Sequence, residues 1–309
     1  MKFVIFVPNQ KTNDMKKAIT FAVAVCLFSW ALFGVFYALC QGDVKSHAGL
    51  FTAFESVYMF FPMIVAMILQ KIRKEPFRST GLLNFKISWA WLAASLMPLA
   101  AVLICIPISA LFPGVSLNYG ADQVISEFGL DETTSAALQA QFSDISPWIM
   151  VGAQAVSGIV AGCTINALFA FGEEYGWRNY LVDALKNFSF WKKAVFIGLV
   201  WGIWHAPLIL QGHNYPQHPV IGVALMCVFC VLLGIIELYF VMKTHSVFPA
   251  AIVHGTFNAL SGFVLFFVKG GNDLTVGMTG VAGFVSLAII CAAIWAYDRY
   301  VSKERIMAQ

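Results

Sequence analysis

Three apolar segments of this chain carry polar side chains that can act on a water molecule. Residues 173–178 read EEYGWR, WGIWHAP contains His205, and FPAAIVHGTFN contains His254 and Asn258. An ionisable side chain at membrane depth costs about 3 kcal/mol or more, so it indicates a functional site. Glutamate, histidine and asparagine together can bind a water molecule and accept its proton, which indicates an intramembrane hydrolase.

The spacing within each segment predicts which side chains share a helix face. Glu174 and Arg178 are four residues apart, so they are expected to form an ion pair. Glu173 lies about 100° round the helix from its neighbour and is free to face another partner. His254 and Asn258 are also four residues apart and can point at one place.

His205 comes from a different segment and must be brought to the others by folding. Trp201 lies one turn before it on the same face, and Pro207 follows two residues later. A proline inside a helix removes a hydrogen bond and clashes with the preceding turn. The helix is therefore expected to loosen or bend near His205.

Two chemistries fit these residues. In the first, Glu173 is a general base for water, His205 shares that water, and His254 and Asn258 donate hydrogen bonds to an oxyanion. In the second, Glu173, His205 and His254 bind zinc and leave a fourth position for water. The chain has no HExxH motif. No cofactor is therefore favoured, and zinc is the alternative.

Composition predicts that membrane helices position these residues. The 309 residues are 60% hydrophobic and 11% charged, whereas soluble domains carry about 25% charged residues. The apolar runs are continuous over about 20 residues, which is typical of an all-α bundle and not of a barrel. A net charge of +3 gives no indication of nucleic acid binding. The eight predicted spans are 18–40, 49–70, 88–112, 148–171, 193–211, 219–242, 246–268 and 279–297.

The distribution of basic residues predicts the orientation of this bundle. Of 19 Lys and Arg residues, 17 lie in the terminal segments and in the connections 71–87, 172–193 and 243–245. Cytoplasmic connections are enriched in these residues, so both termini are expected in the cytoplasm. The whole chain, residues 1–309, is expected to form one domain, a multi-pass protein of a bacterial plasma membrane in contact with its lipids.

The same topology predicts the depth of the site. His205 lies about 18 Å along its span and His254 about 12 Å along its own, at 1.5 Å per residue. Both can therefore meet Glu173 within the cytoplasmic half of the bilayer. Glu55 and Glu237 also lie within spans and are interpreted as packing residues, with a place in the cavity as the alternative. A short helix is predicted between Asp131 and Phe142.

These motifs resemble those of the CAAX-protease and bacteriocin-processing family of intramembrane proteases, also called the Abi family. That family has EExxxR, then an aromatic-x-x-x-His motif, then His-x-x-x-Asn or Asp, on successive membrane helices. The matching segments here are GEEYGWRNYL, WGIWHAPL and HSVFPAAIVHGTFNA. The family core spans about residues 148–268. Trp201 stands where the family usually has phenylalanine.

The resemblance implies roles and a function. Glu173 matches the glutamate that activates water, His205 the histidine that helps to hold it, and His254 with Asn258 the pair that stabilises the oxyanion. The other matching positions, Glu174 and Arg178, are expected to shape the site. The implied activity is a glutamate-type endopeptidase acting on a membrane-associated or lipidated peptide or protein.

Two non-enzymatic alternatives remain beside this function. The first is a non-catalytic membrane scaffold or bacteriocin-immunity protein of the same fold. The second is a transporter, which typically has repeated halves with broken helices; no such repeat is visible here, and the polar residues cluster at one place. The oligomeric state is not predicted.

Overall fold

The computed structural model describes residues 10–77, 80–118 and 146–309, with the single positions 133 and 136. The short helix predicted for Asp131–Phe142 lies outside these ranges. Two short strands, β1 (Ser116–Leu117) and β2 (Val268–Lys269), pair in antiparallel register. The α-helices of the described residues are α1 (Gln10–Leu39), α2 (Ala48–Tyr58), α3 (Phe61–Ile72), α4 (Trp89–Ser109), α5 (Pro147–Cys163), α6 (Ile165–Glu174), α7 (Leu181–Ala184), α8 (Phe190–Trp204), α9 (Ala206–Leu210), α10 (Pro219–Thr244), α11 (Phe248–Leu260) and α12 (Val281–Tyr300). A π-helix, Tyr175–Tyr180, joins α6 to α7.

These helices confirm the predicted polytopic membrane bundle. By length and composition, six helical stretches of the described residues can cross a membrane, or seven when the bent pair α5–α6 counts as one span. The remaining predicted span, 193–211, corresponds to α8 and α9. Helix α8 has only 15 residues and is too short to count as a span by itself. A helix satisfies all its backbone hydrogen bonds internally, which is what a segment in lipid requires.

Three spans that were predicted to be single stretches are divided, and the first of these divisions lies between α2 and α3, within the predicted span 49–70. The chain bends by 45° between α5 and α6, where the Thr164 backbone leaves the helical region and its Oγ1 donates to the Val160 carbonyl oxygen at 2.6 Å. The third break lies at His205, between α8 and α9. It confirms the expected effect of Pro207, which occupies the first turn of α9.

Helix α11 lies at the centre of the bundle. All its residues from Pro249 to Phe257 are buried, against α4, α5, α6 and α10. The outer helices instead expose large apolar side chains, such as Leu27 of α1 and Leu92 of α4. A water-soluble monomer rarely exposes so much apolar surface, so these faces are suited to lipid. Helix α11 thereby holds His254 away from lipid.

Candidate active site

A cavity of about 450 Å³ lies between α2, α6, α8, α10 and α11. Its walls contain Glu173 from α6, Trp201 from α8, and His205 from the α8–α9 break. They also contain His254 and Asn258, both from α11. The bundle thus brings the four predicted catalytic residues, which come from three separate segments, to one cavity.

Glu173 is held in place by two indole groups. Its side chain is buried, and its Oε2 accepts hydrogen bonds from Trp201 Nε1 at 2.6 Å and from Trp177 Nε1 at 3.2 Å. Within the described part of the chain, Oε1 has no hydrogen-bond partner. Two donors on one oxygen fix the carboxylate and leave the other oxygen available to a water molecule in the cavity.

His205 is oriented by the backbone of its own helix. Its Nδ1 lies 2.8 Å from the carbonyl oxygen of Trp201. Because a carbonyl oxygen only accepts hydrogen bonds, Nδ1 must carry a proton in this contact. In the neutral ring Nε2 is then an acceptor. His205 can therefore accept a hydrogen bond from a water molecule in the cavity.

A buried row of charges lies behind Glu173. The predicted ion pair is confirmed, with Arg178 Nη1 at 3.2 Å from Glu174 Oε1. The Nη2 atom of Arg178 pairs with Glu237 of α10, and its guanidinium group lies over the Trp201 ring at 4.3 Å. Because no side chain of this row is more than 1% exposed, each charge depends on its neighbours for compensation.

His254 connects this row to the cavity. Its Nδ1 lies 2.9 Å from Glu174 Oε1, and the ring is buried. Asn258 follows one turn later on α11, is exposed, and lines the same cavity. Glu174 therefore orients the His254 ring, while Arg178 holds Glu174. The expectation that His254 and Asn258 point at one place agrees with their common cavity.

Helix α11 can approach α5 and α6 closely because Gly255 follows His254. A Cβ atom at this position would lie 2.5 Å from the Ala167 backbone nitrogen and 2.6 Å from the Gly162 carbonyl oxygen. These distances are shorter than real Cβ contacts, so a larger residue would force the helices apart. The glycine thus helps to set the distance between His254 and α6.

The zinc alternative requires the ligand atoms of Glu173, His205 and His254 to lie close together, and the structure arranges them differently. Glu173, His205 and His254 line one cavity, but their ligand atoms are not gathered as a metal site requires. Among the described residues, the group whose ligand atoms all lie within 4.8 Å of one another is Glu174, Glu237 and His254. Both of these carboxylates already pair with the Arg178 guanidinium, so a divalent cation fits this group poorly.

Sequence reasoning missed two partners of the site. Trp177 lies four residues after Glu173, so the spacing rule that paired Glu174 with Arg178 already contained this contact. Glu237 was interpreted as a packing residue. Because a charged side chain deep in a span needs a partner of opposite charge, its position was the signal that could have predicted the ion pair with Arg178. Glu55 lines the cavity and pairs with His213 at 2.5 Å.

Comparison with known proteins points to the family that the motifs indicate. A family model described as "Type II CAAX prenyl endopeptidase Rce1-like" matches residues 152–260. A curated relative named "CAAX prenyl protease 2", from the archaeon Methanococcus maripaludis, is 31% identical over 146 residues. That alignment covers 45% of this chain and 50% of the relative, so the chain spans about half the length of the curated relative it matches.

The matched segment contains every motif residue, from Glu173 to Asn258, and it forms most of the cavity wall. The helices before it, α1 to α4, contribute only the α2 side of that cavity among the described residues. Over its segment 152–260, this chain is thus similar to the Rce1-like CAAX prenyl endopeptidases, which agrees with the resemblance of its motifs.

Proposed function

We propose that this protein is an intramembrane endopeptidase that hydrolyses a peptide bond of a membrane-associated or lipidated peptide or protein. The observation that carries this proposal is the convergence of Glu173, His205, His254 and Asn258 on one cavity. The match of residues 152–260 to the family model and the name of the archaeal relative support it. We further propose a plasma membrane of a prokaryotic cell as its location.

In the proposed reaction Glu173 accepts a proton from a water molecule that also donates a hydrogen bond to His205 Nε2. The resulting hydroxide attacks the carbonyl carbon of the peptide bond and forms a tetrahedral oxyanion. The carbon–nitrogen bond then breaks, and the proton held by Glu173 passes to the leaving amine. A general base in this position typically contributes about 10²- to 10⁴-fold to the rate.

The oxyanion is stabilised by His254 Nε2–H and the Asn258 side-chain amide. His254 also donates its Nδ1 proton to Glu174, which lies 2.9 Å away, so the ring acts as an imidazolium. Arg178, which also pairs with Glu237, keeps Glu174 in place. Preorganised donors of this kind act without reorganisation when charge develops on the substrate.

The decisive experiment compares Glu173→Gln with a matched control. Purified protein is incubated with a peptide library that contains prenylated and unmodified members, and the products are identified by mass spectrometry. Glu173→Gln keeps the size of the side chain but cannot take the water's proton, so cleavage should fall by about 10²-fold or more. Glu75→Gln is the control, since Glu75 pairs with Lys17 outside the cavity.

Each remaining outcome selects an alternative. Equal cleavage by wild type and Glu173→Gln would refute the assignment of the base. No cleavage of any library member would favour the scaffold or immunity protein. Loss of cleavage on chelation, with recovery on added zinc and one zinc ion per active protein, would replace the general-base mechanism with the metal-dependent one. A preference for prenylated members would identify the substrate class.

A further inference from the structure

The break between α8 and α9 releases one backbone carbonyl group from its helical partner. In an α-helix the Leu208 N–H would donate to the Trp204 carbonyl oxygen, four residues earlier. It donates instead to the His205 carbonyl oxygen, at 3.0 Å. A buried carbonyl group without a hydrogen bond is costly in a protein core and in lipid. The Trp204 carbonyl oxygen therefore needs donors from elsewhere in the bundle.

Two side chains from the first helices of the chain are these donors. The Tyr58 hydroxyl of α2 donates to the Trp204 carbonyl oxygen at 3.1 Å, and Trp30 Nε1 of α1 donates to the same oxygen at 3.1 Å. A carbonyl oxygen has two lone pairs, so both hydrogen bonds can form together. The released carbonyl group is thus paired by two helices that lie outside the segment 152–260.

The Trp204 side chain is held by the same two helices. Its Nε1 donates to Ser29 Oγ of α1 at 2.8 Å, and its ring lies 4.3 Å from the Tyr58 ring. Ser29, Tyr58 and Trp204 are at most 1% exposed, so water does not compete for these contacts. Helices α1 and α2 therefore fix both the side chain and the carbonyl group of Trp204.

A fixed Trp204 carbonyl group also fixes the backbone of His205. This carbonyl group and the His205 N–H belong to one peptide unit, which is planar because its C–N bond has partial double-bond character. Tyr58 and Trp30 hold the carbonyl edge of the unit. The N–H on its other edge donates to the Gly202 carbonyl oxygen at 3.2 Å. The whole peptide unit is therefore held from both edges.

The following peptide unit and the ring complete the position of His205. The Leu208 and Ile209 N–H groups both donate to the His205 carbonyl oxygen at 3.0 Å. With the backbone held on both sides of its Cα atom, only the side-chain torsions of His205 remain. The contact of Nδ1 with the Trp201 carbonyl oxygen at 2.8 Å selects them. The orientation of the ring in the cavity thus depends on the geometry of the break.

We propose that Tyr58, with Trp30 as the second donor, is a positioning residue that holds the α8–α9 break in the geometry that orients His205. This inference rests on the proposed hydrolytic function for the part of His205 in the reaction, but the hydrogen bonds that orient the ring do not depend on it. Tyr58 also lines the cavity. Because its hydroxyl proton is engaged by Trp204, we assign it no contact with the reacting atoms.

Removal of the two donors tests this role. Tyr58→Phe removes the hydroxyl and keeps the ring against Trp204, whereas Trp30→Phe removes the indole N–H. With a library peptide that wild type cleaves, each variant should lower kcat about two- to tenfold, the rate equivalent of one hydrogen bond, and leave KM nearly unchanged. The double variant should lose more than the product of the two single losses, since either donor alone still holds the carbonyl group.

Ser286→Ala is the control for lost stability. The buried Ser286 hydroxyl donates to the Ala101 carbonyl oxygen between α12 and α4, away from the cavity. Ser286→Ala and Tyr58→Phe each remove one buried hydroxyl donor, so both should unfold at a lower concentration of denaturing detergent than wild type. Only Tyr58→Phe should lower kcat.

A spectroscopic measurement reports on the His205 ring without any substrate. Nitrogen NMR is recorded on protein labelled at its histidine rings, and His205→Gln identifies the signal among the six histidines. In wild type the His205 proton should reside on Nδ1, because the hydrogen bond of a ring nitrogen sets which nitrogen is protonated. In the double variant the proton should be distributed over both ring nitrogens, and Ser286→Ala should keep the wild-type signal.

A wild-type His205 signal in the double variant would overturn the inference, as would a loss confined to KM. Complete loss of turnover in Tyr58→Phe with an unchanged ring signal would also overturn it, because Tyr58 would then act on the substrate itself. If the double variant does not fold, the ring signals and kcat values of the two single variants decide. Absence of cleavage by wild type would refute the proposed function instead, and the ring signal would still decide the positioning role.

Discussion

The strongest energetic prediction concerns Glu237, which sequence reasoning had interpreted as a packing residue. Arg178 divides its guanidinium between Glu174 on Nη1 and Glu237 on Nη2, and the three side chains are at most 1% exposed. Glu237→Leu leaves Nη2 of a buried arginine without its carboxylate. Removing one partner of a buried ion pair costs about 3–5 kcal/mol. Because Arg178 keeps Glu174, we expect a loss near the lower limit of that range.

A Lys–Glu ion pair with an exposed carboxylate provides the control. Glu304 pairs with Lys243 at 3.0 Å, but its side chain is 57% exposed. Exposed pairs contribute about 0–1 kcal/mol, so Glu304→Leu should change the free energy of unfolding little. Glu237→Gln keeps a carbonyl oxygen beside Arg178 and should fall between the two.

The assay is unfolding in mixed micelles with increasing denaturing detergent, followed by tryptophan fluorescence and repeated for each variant. Trp177 and Trp201 lie beside the charged row and contribute to this emission together with the seven other tryptophans of the chain. An equal loss of free energy of unfolding in Glu237→Leu and Glu304→Leu would contradict this prediction. Such a result would mean that Arg178 does not depend on Glu237 in the membrane-embedded protein.

Three further predictions concern the site. Asn258→Ala should lower kcat by about 100- to 1,000-fold with little change in KM, as loss of one oxyanion donor does; a change confined to KM would contradict this role. Trp201→Phe keeps a ring over Arg178 but removes the 2.6 Å hydrogen bond to Glu173. A hydrogen bond to a charged group contributes about 1.5–3 kcal/mol, so turnover should fall about ten- to hundredfold, and unchanged steady-state kinetics would argue against it. Gly255→Ala should destabilise the bundle by about 1–3 kcal/mol through overpacking, measured by the same detergent titration; wild-type stability would show that α11 and α6 can separate without cost.

Local geometry is what the sequence by itself determined. Continuous apolar runs require helices, because a segment in lipid must satisfy its backbone hydrogen bonds internally. The pairing of Glu174 with Arg178 follows from the helical repeat alone, since residues four apart share a face. The break at His205 follows from Pro207 in the same way. Each of these features depends on one segment only, so the sequence could predict it without knowledge of how the helices pack.

The tertiary structure alone decided how segments far apart in the chain meet. The contacts of Arg178 with Glu237 and of Glu173 with Trp201 join residues that no local spacing relates. The bend at Thr164 was hidden because apolar composition is the same on both sides of it. Which helices meet depends on the complementary surfaces of several segments together and not on any one segment.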